Sequence, residues 1–537
     1  MTVQEVLVKQ LGALPVIREY LARLNLQERV DALAPVRSVA HLTNGEVVMA
    51  LVANRLTAPR PLYDIQHWAE TWAVEETLGI RPADLNDDRL GRCLDNLAAV
   101  HDQLRGDLTV QAIRAFGLET KTLRWDLTSV LVSGAYPEAE QDPAYAQVRY
   151  GYGGERRKQV RYLQVTTDDG AVPLWERAHD GNTNDVATVI ATMEALREHA
   201  QCRDFVLVGD SKLLSEGNRQ ALLAAEVGYL APLPRTPDLD AAFLAIAPEE
   251  LAPLAYCSAH ERRKAPVERA SYLGGEQTVV LRLPDGQGGQ RPVALRRLFV
   301  VSSEEQAACR RNRARQRERA EAEIARVVKR VGSRWYPTAE RAQAKIEAIL
   351  ERRHLRGLYQ VRCGESAGRP TVACAVAPAA LARAEALDGY YVLETTRTPA
   401  EADAGGLLAE WKGQWQVEHR HRTAKGPLRV RPLFVTSNRR IVGLLLILGI
   451  ALLVFSLIER EARRALAAGE KVAGLLAGHV AARPTGDNLL KALGAITLVR
   501  FQVAGDWHRA VSTLRPLQHR LLQLLGIPDT VYAELTL

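Results

Sequence analysis

The sequence has few cysteines for its length, and none is placed for a common metal motif. Six cysteines are scattered through 537 residues, with no Cys-x-x-Cys pair and no pair of histidines beside one. This excludes the usual zinc motifs and argues against a disulfide framework. The start of the sequence has no basic stretch followed by an apolar run, so no secretory signal is predicted. We therefore expect a reducing, cytoplasmic environment.

The chain also lacks a strong charge of one sign. Its net charge is +7, charged residues make up 25% and hydrophobic residues 47% of the sequence. These values are those of soluble globular proteins, and they permit a polyanionic partner without requiring one. A chain of this length is expected to form two to four domains.

Only one long apolar run is present, residues 441–458, which contains 18 residues without a charge. Its length is at the short limit for a membrane span. A transmembrane helix and a helix buried on all sides of a large core both fit this run. Charged helical sequence, EREARRAL, continues directly from it. We favour the buried helix and expect no membrane partner.

Hydrophobic periodicity and changes in composition predict five parts. The first is helical and is a candidate DNA-binding domain, although a helical cap or dimerisation domain fits its composition equally well. Two parts of one α/β core follow, separated by an inserted α+β domain, and the chain closes with a helical tail. The predicted boundaries are 1–118, 119–232, 233–385, 386–470 and 471–537.

The core shows the strand order that is typical of a ribonuclease H-like fold. TLRWDLTSVLVSG is rich in β-branched residues, and two further strands flank the turn at 168–170. A helix, the short strand FVLVGD, another helix and the strand YLAPL come next. The predicted fold class is therefore α/β: a ribonuclease H-like mixed sheet with flanking helices, interrupted by an inserted domain and preceded by a helical domain.

Three acids occupy positions in this core that suit metal-dependent phosphodiester chemistry. Asp126 lies inside an apolar strand, and Asp210 ends a buried strand. Glu418 lies in EWKGQWQVEHRHRTAK (410–425), which predicts one basic helix. Convergent carboxylates can hold two Mg²⁺ or Mn²⁺ ions on the attacking and leaving oxygens.

Each acid also has an ordinary structural interpretation. Asp126 fits an edge strand or a turn, and Asp210 fits the cap of the following helix. Glu418 can pair with Arg422, four residues further along a helix. The three acids together, in the expected elements and order, favour the metal site.

The sequence resembles DDE transposases of bacterial insertion sequences over roughly residues 40–510. The resemblance rests on the segments RWDLTSVLVSG, FVLVGDSKLLSEGNRQAL and WQVEHRHRTAK, and on the Gly-Asn-Thr motif at 181–183. One subgroup has the signature Tyr, two residues, Arg, three residues, Glu, six residues, Lys. The corresponding positions are Trp411, Gln414, Glu418 and Lys425, so the spacing fits and the Glu and Lys identities match.

This resemblance implies a transposase that cuts transposon ends and transfers the 3′-hydroxyl strand to target DNA. Asp126, Asp210 and Glu418 are the implied catalytic residues and ligands of two metal ions. The implied partners are double-stranded DNA, with terminal inverted repeats and target, and a second copy of the chain, in the bacterial cytoplasm at the nucleoid. The residues expected to contact DNA are Lys425, Trp411, Gln414, Arg422, Arg420 and Lys212.

Two departures from the signature keep a second function open. Trp411 and Gln414 stand where the family has a tyrosine and an arginine that hold phosphates, and glutamine carries no charge. A catalytically inactive, domesticated DNA-binding protein derived from a transposase is therefore the alternative.

The insertion contributes a basic helix with arginines at 310, 311, 313, 315, 317 and 319. These arginines fit either a solvated helical face or a phosphate-binding surface. Trp335 follows in GSRWYPT, where core packing is the favoured prediction and stacking on an unpaired base is the alternative.

Overall fold

The computed structural model describes residues 3–134, 136, 142–151, 157–284, 289–429, 435, 437–503 and 506–536. The chain divides into two compact units. Unit 1 comprises Met1–Gly228 and Gly413–Leu537, and unit 2 comprises Tyr229–Lys412. Each unit is described below by itself. The finer, five-part division stays a prediction.

Unit 1 begins with a strand and a cluster of short helices. Its elements are β1 (Val3–Gln10), α1 (Leu14–Arg23), α2 (Leu26–Leu33), α3 (Asn44–Thr57), α4 (Ile65–Thr71), α5 (Val74–Leu78), α6 (Asp87–Ala99) and α7 (His101–Phe116). The predicted helical character is confirmed for all of this region except β1.

The sheet of unit 1 follows these helices. Its elements, with the two helices between the strands, are β2 (Thr122–Leu131), β3 (Arg149–Tyr150), β4 (Lys158–Thr167), β5 (Pro173–His179), α8 (Val189–Glu198), β6 (Val206–Val208) and α9 (Glu216–Ala224). Strand β4 pairs antiparallel with β2, β3 and β5, and β2 pairs parallel with β6. The order β5–β4–β2–β6, with three antiparallel strands and one parallel strand, confirms the predicted ribonuclease H-like core.

Unit 2 contains the second set of strands and the long basic helix. Its elements are β7 (Gly228–Pro232), α10 (Pro237–Leu244), β8 (Ala252–Pro253), β9 (Tyr272–Pro284), β10 (Gln290–Ser302), α11 (Ser303–Val328), α12 (Ala339–Arg352), β11 (Tyr359–Ser366), β12 (Arg369–Val376), α13 (Pro378–Ala386), β13 (Tyr390–Thr395) and α14 (Ala404–Lys412). Strands β7, β13, β10, β9 and β8 form an antiparallel series. A separate small core joins α11, α12 and the β11–β12 hairpin.

Trp335 does not pack in the core of unit 2, which contradicts the favoured prediction. The residue is 58% exposed, and the guanidinium carbon of Arg334 lies 5.1 Å from its ring centroid. The local sequence GSRWYPT forms a turn with isolated bridges after α11. A turn of this kind leaves a side chain on the surface, where an adjacent cation can cover the ring face.

The remainder of unit 1 follows unit 2 in sequence and includes a strand that pairs with β1. Its elements are α15 (Trp415–Lys425), α16 (Asn438–Arg464), β14 (Val472–Ala473), β15 (Ala481–Ala482), α17 (Gly486–Leu493), β16 (Thr497–Val503), β17 (Asp506–Val511), α18 (Pro516–Leu525) and α19 (Thr530–Ala533).

A three-stranded antiparallel sheet, β1–β16–β17, joins the two ends of unit 1. The sequence predicted helices at both ends and missed this sheet. Its pairing joins residues that lie about 500 positions apart, such as Lys9 and Leu498. Local periodicity cannot reveal a strand whose partner is so distant in sequence.

Helix α16 is the apolar run, and it is a buried core helix as predicted. It is the one helix among the described residues that is long and apolar enough to cross a membrane, and its most apolar 18-residue window is entirely buried. It packs against α3, α6 and β5. Gly443 and Gly449 permit this packing, because an added Cβ would lie 2.3 Å from the Leu94 carbonyl oxygen and 2.0 Å from Glu176 Oε1, respectively.

The segment 410–425 is not one helix, which corrects the prediction. Helix α14 ends at Lys412 and α15 begins at Trp415, with a turn at Gly413 and Gln414. Glycine is a poor helix former, and here it also meets a steric need. A Cβ at Gly413 would lie 2.3 Å from Nη2 of Arg124, a side chain that is 1% exposed. The buried guanidinium of Arg124 therefore leaves no room for a side chain at position 413, and the glycine required there breaks the helix.

Candidate active site

Alternate residues of β2 face the segment around α15. Arg124 packs on Gly413, and Oδ2 of Asp126 lies 3.3 Å from Nδ1 of His421. Thr128 Oγ1 accepts a hydrogen bond from Nζ of Lys425. A strand directs every second side chain to the same side. One face of β2 therefore docks along the length of α15, with Asp126 in the middle.

Four residues on and just before α15 form the stripe that faces β2. Gln414 donates a 2.8 Å hydrogen bond from Nε2 to the Trp125 carbonyl. His421 and Lys425 contact β2 as described, and Glu418 lies between them and Gln414 in sequence. At about 100° per residue these four positions fall within a sector of about 60° on a helix. Glu418 thus lies on the side of α15 that carries the contacts with β2, and its side chain is exposed.

Asp126 and Asp210 each follow the parallel pairing of β2 and β6 by two residues. Arg124 is the register partner of Val208. Strand β6 ends at Val208, and Asp210 follows two residues later, as Asp126 follows Arg124 along β2. The negative charge of Asp126 acts on the carboxyl of Asp210 and raises its pKa, so the two acids are neighbours. Neighbouring strands lie about 4.8 Å apart, so this is the edge at which two carboxylates from adjacent strands can converge.

The electrostatics of Asp210 reflect this neighbourhood. Asp210 is exposed as a residue, but partial desolvation of its carboxyl raises the pKa above the ordinary value, while the Lys212 N–H, 2.8 Å from Oδ1, acts in the opposite direction. The negative charges of Asp126 and Asp185 raise the pKa further. A carboxylate that is destabilised by other carboxylates is stabilised when a cation binds among them.

The donor chemistry of this pair fits Mg²⁺ or Mn²⁺, but the third acid stands apart from it. Mg²⁺ is usually bound through one or two carboxylates, with water and phosphate oxygens completing the octahedron. Asp126 and Asp210 would supply two such ligands to a bound ion. Among the described residues, no group of three His, Cys, Asp or Glu side chains has a spacing that could hold a metal ion. Asp126 and Asp210 therefore both follow the paired part of β2 and β6, and Glu418 forms no three-membered cluster with them.

The ordinary interpretations of the acids can also be compared with the structure. Asp126 lies on β2, which has paired strands on both sides and is not an edge strand. Asp210 does not cap the following helix, because Ser215 caps α9 through the amide of Asn218. Glu418 and Arg422 are both described and exposed, and no ion pair joins them within that part of the chain.

His421 contacts a residue of the candidate site, and sequence reasoning missed it. It is 5% exposed, and its Nε2 has no hydrogen-bond partner within the described structure. Because it follows Glu418 by three residues, it lies on the same helical face. That spacing was visible in the sequence, but the contact depends on the register between α15 and β2, which the sequence does not give.

The expected DNA contacts at the variant signature positions have local partners. The Trp411 ring packs against Tyr391 within unit 2, with centroids 5.1 Å apart, and Lys412 Nζ lies 5.0 Å from the Trp411 centroid. Gln414 uses its amide N–H for the Trp125 carbonyl. Both side chains are partly exposed, and their contact with DNA stays a prediction.

Arg420 is removed from the expected DNA contacts, because it is buried. Its side chain is 2% exposed, and it donates to the carbonyl oxygens of Gly170 and Ala171 and to Glu459. These bonds fasten α15 to the β4–β5 turn. A guanidinium with this burial and these partners serves the fold.

The other three expected contacts remain on accessible parts of unit 1. Arg422 and Lys212 are exposed, and Lys425 is partly exposed and bonded to Thr128. All three lie near the acids in sequence or in the β2–α15 interface. Their role in DNA binding stays a prediction.

Comparison with known protein families decides the class of this chain. The model of the transposase DDE domain matches residues 122–454. The chain belongs to this family. The match begins at the first residue of β2 and includes all three acids, so it supports transposase function for the part of the chain that contains the site. It does not distinguish the subgroup with the Tyr-Arg-Glu-Lys signature, which stays a prediction.

Three further findings come from these comparisons. Residues 6–104 match a domain of unknown function, DUF4277. No curated protein matches the sequence. Among solved structures, the chain is similar to a piggyBac transposase synaptic complex with hairpin DNA, with 10% identity, a TM-score of 0.35, and coverage of 90% of this chain and 78% of that one.

Proposed function

We propose that this protein cleaves DNA at transposon ends and joins the exposed 3′-hydroxyl to target DNA. The observation that carries the proposal is that Asp126 on β2 and Asp210, just after β6, both follow the paired part of these strands and interact electrostatically, while α15, which carries Glu418, packs on β2 through His421 and Asp126. Two carboxylates beyond the end of the parallel strand pair, and a third on a helix that packs on β2, support the proposed site. Membership of the transposase DDE-domain family supports the same reaction class.

In this proposal Asp126 and Asp210 hold Mg²⁺ or Mn²⁺, and Glu418 completes the site. Two such ions supply a nucleophilic oxygen and neutralise charge on the leaving oxygen. The carboxylates fix the position of the ions, His421 orients Asp126, and Lys425 and Arg422 contact phosphates. The partners are double-stranded DNA with terminal inverted repeats and target DNA. Two ends must be paired, so we propose a homodimer on DNA, acting in the bacterial cytoplasm at the nucleoid.

The direct test is cleavage of DNA that carries both sequences flanking the gene. Purified full-length protein is incubated with labelled end DNA and either Mg²⁺, Mn²⁺ or EDTA. Nicking that requires the metal, and that falls by at least about 100-fold in Asp126→Asn, Asp210→Asn and Glu418→Gln, supports the proposal. Cleavage that all three variants retain would show that the acids are not the catalytic group.

The second candidate is an inactive DNA-binding protein derived from a transposase. Two observations favour it: Glu418 lies outside any three-membered ligand group of the described residues, and Gln414 replaces the expected cation. Such a protein binds DNA with a strong salt dependence but shows no metal-dependent nicking. The same assay, with binding and cleavage measured on one substrate, separates the two functions.

A further inference from the structure

A cluster of cationic side chains lies beside α15, away from the stripe of α15 that faces β2. A cavity of about 370 Å³ opens between α15, the β4–β5 turn and the C-terminal end of α16, entirely within unit 1. Its lining includes Trp415, His419 and five arginines, together with three acids, Asp168, Asp169 and Glu459. The proposed function assigns no role to this cavity.

The positive charge of the cavity exceeds what its acids neutralise. Glu459 is shared by two arginines, Arg420 and Arg463, with N–O distances of 2.9 and 2.6 Å. Arg483 is exposed and makes no hydrogen bond or ion pair with any described residue. Asp169 pairs with Arg460, Asp168 pairs with Arg124, and Glu461 pairs with Arg460 and Arg464. Six arginines therefore meet four acids in and around the cavity, so the site carries uncompensated positive charge.

Mutual repulsion among these cations supports the same conclusion. Burial lowers the pKa of Arg463 to about 10, and the charges of Arg483 and Arg420 act in the same direction against the attraction of Glu459. A bound anion relieves repulsion of this kind.

We propose that this arginine-lined cavity binds a phosphate of the DNA backbone, a few nucleotides from the reacting phosphodiester. This inference rests on the proposed function for its choice of DNA as the anion. Arginine matches phosphate geometry through two parallel N–H donors, and Arg483 and Arg464 are 
exposed enough to offer them.

The position of the cavity beside α15 explains why the proposed phosphate lies a few nucleotides from the reacting phosphodiester. Glu418 lies on the face of α15 that carries the β2 contacts, whereas Trp415 and His419 line the cavity on an adjoining face. A helix with its side chains is about 10–12 Å across, and phosphates advance about 3.4 Å per nucleotide along the duplex axis. Exposed Arg422 lies between these two faces. A strand that leaves the acids can therefore reach the cavity within about three nucleotides.

The test is the salt dependence of DNA binding, measured without metal so that cleavage does not interfere. Full-length protein is titrated into a fluorescent 30-base-pair duplex of arbitrary sequence at several salt concentrations. The variants are Arg483→Ala, Arg464→Ala and the charge-retaining Arg483→Lys. The matched control is Arg356→Ala in unit 2, where the arginine side chain is 82% exposed and pairs with an exposed glutamate.

We expect each alanine variant at the cavity to reduce the slope of log affinity against log salt by about 0.9, the value for one lost phosphate contact. Arg483→Lys is expected to retain most of the slope, which excludes misfolding as the cause, and Arg356→Ala to leave it unchanged. Slopes of Arg483→Ala and Arg464→Ala equal to that of Arg356→Ala would overturn the inference.

A competition with inorganic pyrophosphate separates DNA backbone from free phosphate as the source of the anion. If pyrophosphate displaces DNA from the unmodified protein and from Arg483→Ala at the same concentrations, the DNA backbone is the source of the anion. If pyrophosphate binds tightly and selectively to the unmodified protein, this assignment is contradicted. The slope is measured without cleavage. If the protein cuts DNA but the alanine variants at the cavity keep the unmodified salt slope, only this inference is refuted. If the variants reduce the slope but the protein does not cut DNA, only the proposed catalysis is refuted.

Discussion

Nδ1 of His421 lies 3.3 Å from Oδ2 of Asp126, in the middle of the interface between α15 and β2. The contact ties the helix that carries Glu418 to the strand that carries the first aspartate. Asp126 Oδ1 also accepts the Leu127 N–H at 2.9 Å. Both oxygens of this carboxylate therefore have a local contact that can fix its orientation.

From this relationship we predict that His421→Ala lowers end cleavage by about 10- to 100-fold, the usual effect of removing a residue that orients a metal ligand. His421→Asn can place an amide N–H near the position of Nδ1 and is expected to recover part of the loss. The metal concentration that gives half-maximal cleavage separates positioning from misfolding. It should rise in His421→Ala while DNA affinity stays unchanged. An unchanged metal requirement would contradict a positioning role.

Gly413 gives a prediction about the turn between α14 and α15. Gly413→Ala places a Cβ 2.3 Å from Nη2 of buried Arg124, and such overpacking costs about 1–3 kcal/mol. The urea midpoint should fall accordingly. The matched control is Gly217→Ala in α9, where an added Cβ meets nothing within 4 Å. That change should leave the midpoint the same or raise it slightly. Equal behaviour of the two variants would refute the steric account of the turn.

A buried ion pair gives a stability prediction for the core of unit 1. Arg105 Nε lies 2.7 Å from Glu176 Oε2, and both side chains are 0% exposed. Glu176→Ala leaves a buried guanidinium without its acid, which costs about 3–5 kcal/mol. Glu351→Ala is the control, because its pair with Arg356 is exposed and contributes about 1 kcal/mol or less. Chemical denaturation of both variants checks the difference, and a loss below about 1 kcal/mol in Glu176→Ala would contradict it.

His179 gives a pH prediction whose sign follows from its environment. Burial lowers the pKa of its imidazole from 6.5 to about 4, and Arg177 acts in the same direction. Below about pH 6.5 the unfolded chain binds a proton that the folded chain excludes until about pH 4. The folded state therefore loses stability as the pH falls through this window, by at most about 3 kcal/mol.

The measurement is the urea midpoint as a function of pH for His179→Gln, which removes the titrating group. Its midpoint should fall less steeply between pH 6.5 and 4 than that of the unmodified protein. His67→Gln is the control, because the His67 side chain is 65% exposed and its replacement should leave the slope unchanged. Parallel curves for the unmodified protein and His179→Gln would contradict the assignment.

The parts that sequence reasoning predicted well depend on local pattern. The β4–β5 hairpin, the strand of Asp126 and the buried α16 each follow from periodicity, turn residues or length. The parts that it missed depend on distant partners. Strand β1 needs β16, the break at Gly413 needs the guanidinium of Arg124, and the role of His421 needs the docking of α15 on β2. Trp335 was assigned to the core by residue type, although its turn leaves it on the surface.

The central claim is that Asp126 and Asp210 together hold the metal that acts on DNA. The most direct measurement is anomalous scattering from crystals of the full-length protein with end DNA and Mn²⁺. The account predicts a metal peak within about 2.3 Å of carboxylate oxygens of both residues, and loss of that peak in Asp210→Asn. Metal bound elsewhere in crystals of a cleavage-competent complex, or a peak that Asp210→Asn retains at full strength, would contradict it.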